Sequence, residues 1–280
     1  MGRIENSAPV KLRENDIAQA MELSQEAGWN QLPADWRLFL THGQVLGIFD
    51  GPVLAATAAI IPYDDSFAWI SMVLTRKAWR QRGLGSTLLK ACIAEIEAQG
   101  RTAFLDATPA GEPIYRSLGF EPVEGFTRWQ GIGGGSTKAH HAPAEAQPKP
   151  EISAIIAANA AFGGERTPML EDFASRCPQA RRSSPDCSAH IFGRDGVIAT
   201  QIGPVIGSDE AVVTSLVEDV IAGITGPIFL DVADSRPLLA ARLQEAGFTK
   251  QRPFLRMKKG PLATPGRANE TAVIAGPEFG

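Results

Sequence analysis

One stretch, Arg80-Gln81-Arg82-Gly83-Leu84-Gly85-Ser86, has the residue types and spacing to bind phosphate. A diphosphate needs positive charge and closely approaching N–H donors. The first turn of a helix supplies unpaired backbone N–H groups at the positive end of its dipole. Glycines let that backbone come close, and the arginines add charge, so the unit reads as a pyrophosphate cradle. It lacks the Gly-Lys-Ser/Thr ending of a Walker loop, and Leu88 breaks a G-x-G-x-x-G pattern. A solvated basic turn is the alternative such a short pattern leaves open.

The flanking residues place this stretch where a strand turns into a helix. Before it, residues 67–75 form an apolar run of strand length. After it, Leu84, Leu88, Leu89, Cys92, Ile93 and Ile96 recur at helical spacing, and Gly100 supplies the stop. Upstream, residues 10–13 read as a short strand. Asp16 is expected to cap a helix carrying Ile17, Ala20, Met21, Leu23 and Ser24, ended by Gly28. Pro33 suits the first turn of a second helix through Trp36 and Phe39. Strands at 45–49 and 53–61 meet at Asp50-Gly51, a hairpin signal. Downstream come a strand at 102–106 and a short helix at 114–118, which carries Tyr115 and closes at Gly119-Phe120.

Arg-x-x-Gly-x-Gly between such a strand and helix, followed by Tyr-x-x-x-Gly-Phe, resembles the GNAT N-acetyltransferase superfamily. Gly-Trp-Asn-Gln near residue 30, Leu-Asp-Ala-Thr-Pro from 105 and Gly-Phe with Arg-Met after it from 247 resemble a two-domain subgroup. Its C-terminal half is a degenerate acetyltransferase-like domain. The resemblance implies an α/β fold of tandem domains, each a mostly antiparallel mixed sheet flanked by helices. It implies acetyl-CoA as acyl donor, with the backbone of Gln81, Arg82, Gly83, Leu84, Gly85 and Ser86 on the diphosphate and Arg80 or Arg82 adding charge. Val73, Leu74 and Thr75 would line the pantetheine arm, pairing with it like an added strand. Tyr115 is the candidate acid for the departing thiolate, although a phenol is ordinarily a weaker acid than a thiol. Asp106 is either a general base or the partner of the Thr108-Pro109 turn; Asp35, Asp64, Asp65 and a water relay are rivals for the base. Trp29, Asn30, Gln31 and Trp36 lie where relatives shape the acceptor pocket, though such tryptophans are often core. The implied reaction is direct attack by a primary amine of a small or amino-acid-like molecule in a ternary complex. A protein N-terminus or lysine as acceptor, and a non-catalytic acyl-CoA sensor, are the competing readings.

The chain also repeats itself. Phe104-Leu105-Asp106 recurs as Phe229-Leu230-Asp231, and Gly119-Phe120 as Gly247-Phe248. Residues 197–202 read as a strand, 211–221 as a helix, and Leu238, Leu239 and Leu243 as a short apolar helix face. The second copy carries Ser208-Asp209-Glu210 where the first has its cradle, and Leu243 where the first has Tyr115. Ser208 is expected to cap the helix. Acids in the first turn stabilise it and repel a diphosphate, so this copy is not expected to hold CoA. The expected domains are 1–131, a Gly/Ser/Pro-rich linker at 132–150, and 151–280. The tail from 271 to 276 has strand composition. His140-His141 falls in the linker, where a lone pair is no metal site.

With 280 residues, 44% hydrophobic and 21% charged, each half can bury a core. A net charge of −4 disfavours a general nucleic-acid binder and mildly suits a cationic amine. Three cysteines without C-x-x-C spacing indicate neither disulfides nor a zinc site. No apolar run reaches membrane-spanning length, and no secretory signal opens the sequence, so a cytoplasmic monomer or homodimer without metal, nucleic acid or membrane partners is expected.

Overall fold

The Asp50-Gly51 turn, with Gly51 in the left-handed region at φ +59°, closes a hairpin. Its strands are β2 (Gln44–Asp50) and β3 (Val53–Pro62). A computed structural model describes residues 8–134 and 152–280; the residues expected to form most of the linker, with His140-His141, lie outside these. Two compact units emerge. One comprises the described residues up to Leu105 together with Lys259–Leu262; the other comprises Asp106–Lys258 and Ala263–Gly280.

In the first unit β1 (Val10–Lys11) pairs antiparallel with β2, β2 with β3, and β3 with β4 (Phe67–Thr75). β4 then runs parallel to β5 (Thr102–Ala107), with Phe67 opposite Thr102 and Trp69 opposite Phe104. Helices α1 (Ile17–Glu26), α2 (Pro33–His42) and α3 (Leu84–Ala98) pack on this sheet. The apolar stripe anticipated for α3 is the face it buries: Leu84, Leu88, Leu89, Cys92, Ile93 and Ile96. Trp69 stacks on Phe104 at 6.0 Å, and Phe67 meets the same ring edge-on at 5.7 Å. Asp16 does not cap α1. Its Oδ2 accepts from the Arg13 N–H at 2.8 Å and closes a 3₁₀ turn one residue ahead of the helix.

In the second unit α4 (Glu112–Ser117) leads to β6 (Glu121–Gly133). The second half adds α5 (Ile152–Phe162), α6 (Thr167–Arg176), β7 (Arg182–Ser183), β8 (His190–Arg194), β9 (Thr200–Ile206), α7 (Glu210–Gly223), β10 (Gly226–Ala233), α8 (Pro237–Glu245), β11 (Thr249–Lys259) and β12 (Thr271–Val273). The sheet order is β11-β6-β10-β12-β9-β8-β7. β6, from the first repeat, therefore lies between two strands of the second, antiparallel to both. Val213, Val217, Val220 and Leu239 from α7 and α8 bury against Leu230 and Val232 of β10. Two local expectations shift here. The strand expected at 197–202 runs instead from Thr200 to Ile206, because Pro204 sits where the β8–β9 register slips and no ladder donor is needed. The cap of α7 is Asp209, not Ser208: its Oδ1 accepts from the N–H groups of Ala211 and Val212.

Candidate active site

The cradle occupies the loop between β4 and α3, as its spacing required. Gln81 (φ +61°) and Gly83 (φ +80°) are both left-handed, which turns the chain sharply into the helix. Gly83 is the N-cap and no side chain caps this helix start. The N–H groups of the first turn, at Leu84, Gly85 and Ser86, are left for another acceptor. Arg80 folds back so that its Nε donates to the Thr75 carbonyl at 3.2 Å, and Arg82 Nη2 donates to the Ala78 carbonyl at 3.2 Å. Both guanidinium groups are exposed and keep further N–H donors.

The β4 edge stands directly beside this helix start. A methyl group added at Gly85 would lie 3.3 Å from Thr75 Oγ1 and 3.9 Å from Val73 Cγ1. β4 and β5 pair only over Phe67–Trp69. Beyond that, Leu74 and Thr75 pair with β3, and among the described residues no strand stands on their other side. Met72 takes φ +50° where the β3–β4 register slips, a bulge that breaks the ladder beside Val73.

Near residue 30 the expected pocket residues divide. Trp36 is 1% exposed, its ring edge-on to Phe39 at 5.8 Å and its indole N–H on Ser24 Oγ at 3.4 Å, which makes it a core residue of the first unit. Asn30 and Gln31 are buried in the loop between α1 and α2, and Trp29 beside them is half-buried.

Tyr115 lies on α4 in the second unit, its ring against Phe120 at 6.0 Å and closely over Gly111, where a methyl group would sit 2.8 Å from Cε2. Burial pushes its hydroxyl up to about 12. Asp106 has a partner outside those expected for it, Arg256. Its side chain is fully buried, and its two carboxylate oxygens accept from Nε and Nη2 of Arg256 on β11, at 2.9 and 3.0 Å. Burial raises the carboxyl and the guanidinium opposes it. Glu124 on β6 accepts from Arg256 Nη1 at 3.2 Å. Both oxygens of Asp106 are thus engaged by Arg256, a contact that belongs to neither of the two roles expected for it, general base or partner of the Thr108-Pro109 turn. Asp35 and Asp64 are engaged in local turns, with Leu32 N–H and with Ser66 and Phe67 N–H respectively, and Asp65 faces Arg101. A matching pair joins Arg128 of β6 to Asp231 of β10, both contacts at 2.7 Å. The signal for both pairs was present in the repeat, since each arginine stands eight residues past its Gly-Phe phenylalanine.

Among the described residues no group of three or more His, Cys, Asp or Glu side chains could hold a metal ion, and no helix is long and apolar enough to cross a membrane.

A family model described as the acetyltransferase (GNAT) family matches residues 13–120, and one described as an acetyltransferase (GNAT) domain matches residues 157–271. The chain is 24% identical over 264 residues to the uncharacterized N-acetyltransferase YitH of Bacillus subtilis, covering 90% of this chain and 93% of that one. A Pyrococcus horikoshii protein assigned to the acetyltransferases shares the fold at a TM-score of 0.77 with 16% identity, over 98% of this chain and 95% of that one. A GCN5-related N-acetyltransferase from Sphaerobacter thermophilus does so at 0.59, also with 16% identity, over 92% and 98%. With one match in each half and a mixed α/β sheet flanked by helices, the chain belongs to the GNAT N-acetyltransferase superfamily, as a member with two such domains in tandem.

Proposed function

We propose that the first domain transfers the acetyl group of acetyl-CoA to a primary amine of a small or amino-acid-like molecule. The observation that carries this reading is the uncapped start of α3, with left-handed Gln81 and Gly83 beside an unpartnered stretch of β4. The residues fit the donor. N–H groups from Gln81 to Ser86 would take the diphosphate, Arg80 and Arg82 would swing from their backbone carbonyls to add charge-assisted bonds, and the backbone of Val73, Leu74 and Thr75 would hold the pantetheine arm. Holding both reactants in line contributes on the order of 7–11 kcal/mol, so positioning is the main catalytic device.

Tyr115 is neutral at ordinary pH, as any tyrosine is, and burial raises it further, to about 12. It would act as a hydrogen-bond donor to the developing thiolate, not as a full proton source. With the carboxylates of Asp106, Asp35 and Asp64 engaged, the amine proton leaves through water. The net charge of −4 favours a cationic acceptor over an acidic one. Thiol release from acetyl-CoA against a panel of small amines and of peptides tests this reading. Faster release with one class of small amine is expected. Release only with peptide N-termini or lysines would overturn the acceptor assignment.

A further inference from the structure

The two repeats can be aligned by their parallel ladders. Trp69 stands opposite Phe104 in the first, and Gln201 opposite Phe229 in the second. Counting on equally along each strand brings Val73 to Val205, Leu74 to Ile206 and Thr75 to Gly207. In the second repeat this edge is filled. β12, from the C-terminal tail, inserts between β9 and β10, with Thr271 opposite Ile206, and Val273 opposite both Val205 and Val232. The Gly207 N–H donates to the Glu270 carbonyl at 2.8 Å, and the Ile274 N–H to the Asp231 carbonyl at 3.0 Å. A side chain at Gly203 would run into the Ile274 carbonyl, so the glycine makes room for the tail.

The helix start is filled as well. Where α3 has no side-chain cap, α7 has Asp209, whose carboxylate takes the N–H groups of Ala211 and Val212. Beyond β12 the tail is anchored in the core: Phe279 is fully buried and edge-on to Phe173 at 5.2 Å, Glu278 pairs with Arg194, and the Gly280 carbonyl accepts from Arg166 at 2.9 Å.

We propose that the second domain's donor slot is a peptide-strand site occupied by the chain's own residues 271–274, with Asp209 standing where a diphosphate would. The comparison of slots rests on the reading given above for Val73–Thr75 and the cradle. The strand supplies the backbone hydrogen bonds and the aspartate supplies the negative charge, so this domain takes peptide and excludes CoA.

Hydrogen exchange on the full chain, with and without saturating CoA, tests this. The N–H groups of Gly207 and Ile274 should keep their protection unchanged, while residues 73–75 and 81–86 gain it. Loss of protection at Gly207 and Ile274 on adding CoA would overturn the proposal. A chain ending at Glu270 provides the second arm. A synthetic peptide of residues 271–280 should bind it at one equivalent and raise its Tm by at least ~2 °C. CoA should still bind at one equivalent. Uptake of a second CoA equivalent, or failure of the peptide to bind the folded truncated chain, would overturn the proposal. CoA without effect on residues 73–86 would sink the reading of the first domain, while peptide binding is read independently of it.

Discussion

Arg256 grips both carboxylate oxygens of Asp106, at 2.9 and 3.0 Å, across 150 residues of sequence. Arg128 grips Asp231 in the same way at 2.7 Å. Each pair joins the Phe-Leu-Asp strand of one repeat to the strand after Gly-Phe of the other. The guanidinium groups also lie over aromatic rings, Arg256 over Phe126 at 4.6 Å and Arg128 over Phe229 and Phe254 at 5.1 and 5.2 Å. The exchange is thus fixed by buried, directional contacts on both sides.

Removing one partner leaves a buried charge without its counterion. Arg256→Met should cost about 3–5 kcal/mol in urea unfolding. Adding Asp106→Asn in the same chain should recover part of that loss. Two independent, additive penalties would mean that the two groups are not coupled.

Acid should loosen the tail through Glu278. Burial alone would raise this carboxyl, but the guanidinium groups of Arg194 and Arg128 outweigh it and hold it below the usual value. A carboxyl depressed in the folded state stabilises the fold above its unfolded pKa, near ~4.3, and loses that contribution as pH falls through the folded value. Glu278→Gln should therefore flatten the fall in urea midpoint between pH 5 and pH 3, at about that range of acidity. An unchanged acid profile in the variant would count against the pair.

Tyr115→Phe removes the hydrogen bond to the developing thiolate and should lower kcat by about 10²-fold with little change in KM for acetyl-CoA, if chemistry limits the rate. Because burial lifts this hydroxyl to about 12, no tyrosine ionisation should show in the rate below about pH 10. An unaltered kcat would remove Tyr115 from the chemistry.

The three thiols should separate by reactivity. Burial pushes Cys92 up to about 12 and Cys177 up to about 11, whereas Cys187 is exposed. A native thiol titration should count one fast group, and Cys187→Ser should abolish it. Two or more fast groups would contradict the burial of Cys92 and Cys177.

Local pattern carried most of the first unit. The stripe on α3, the Asp50-Gly51 hairpin and the strand-to-helix position of the cradle follow from spacing and turn chemistry alone. What lay beyond reach was pairing between distant strands. Nothing in the periodicity of residues 121–133 says that β6 will sit between β10 and β11, or that residues 271–273 will enter a gap in the sheet. Asp106 was legible as an acid on a strand, but its partner came from the other repeat. The strand expected at 197–202 continues past Pro204 to Ile206, and the register slip that accommodates the proline depends on β8. At the start of α7 the cap is Asp209, one residue past the expected Ser208.

The most direct measurement is a crystal structure of the full chain with CoA. Diphosphate oxygens within about 3.2 Å of backbone nitrogens between Gln81 and Ser86 are expected, with the pantetheine arm along Val73–Thr75. A CoA molecule bound elsewhere, or none bound at millimolar concentration, would contradict the assignment.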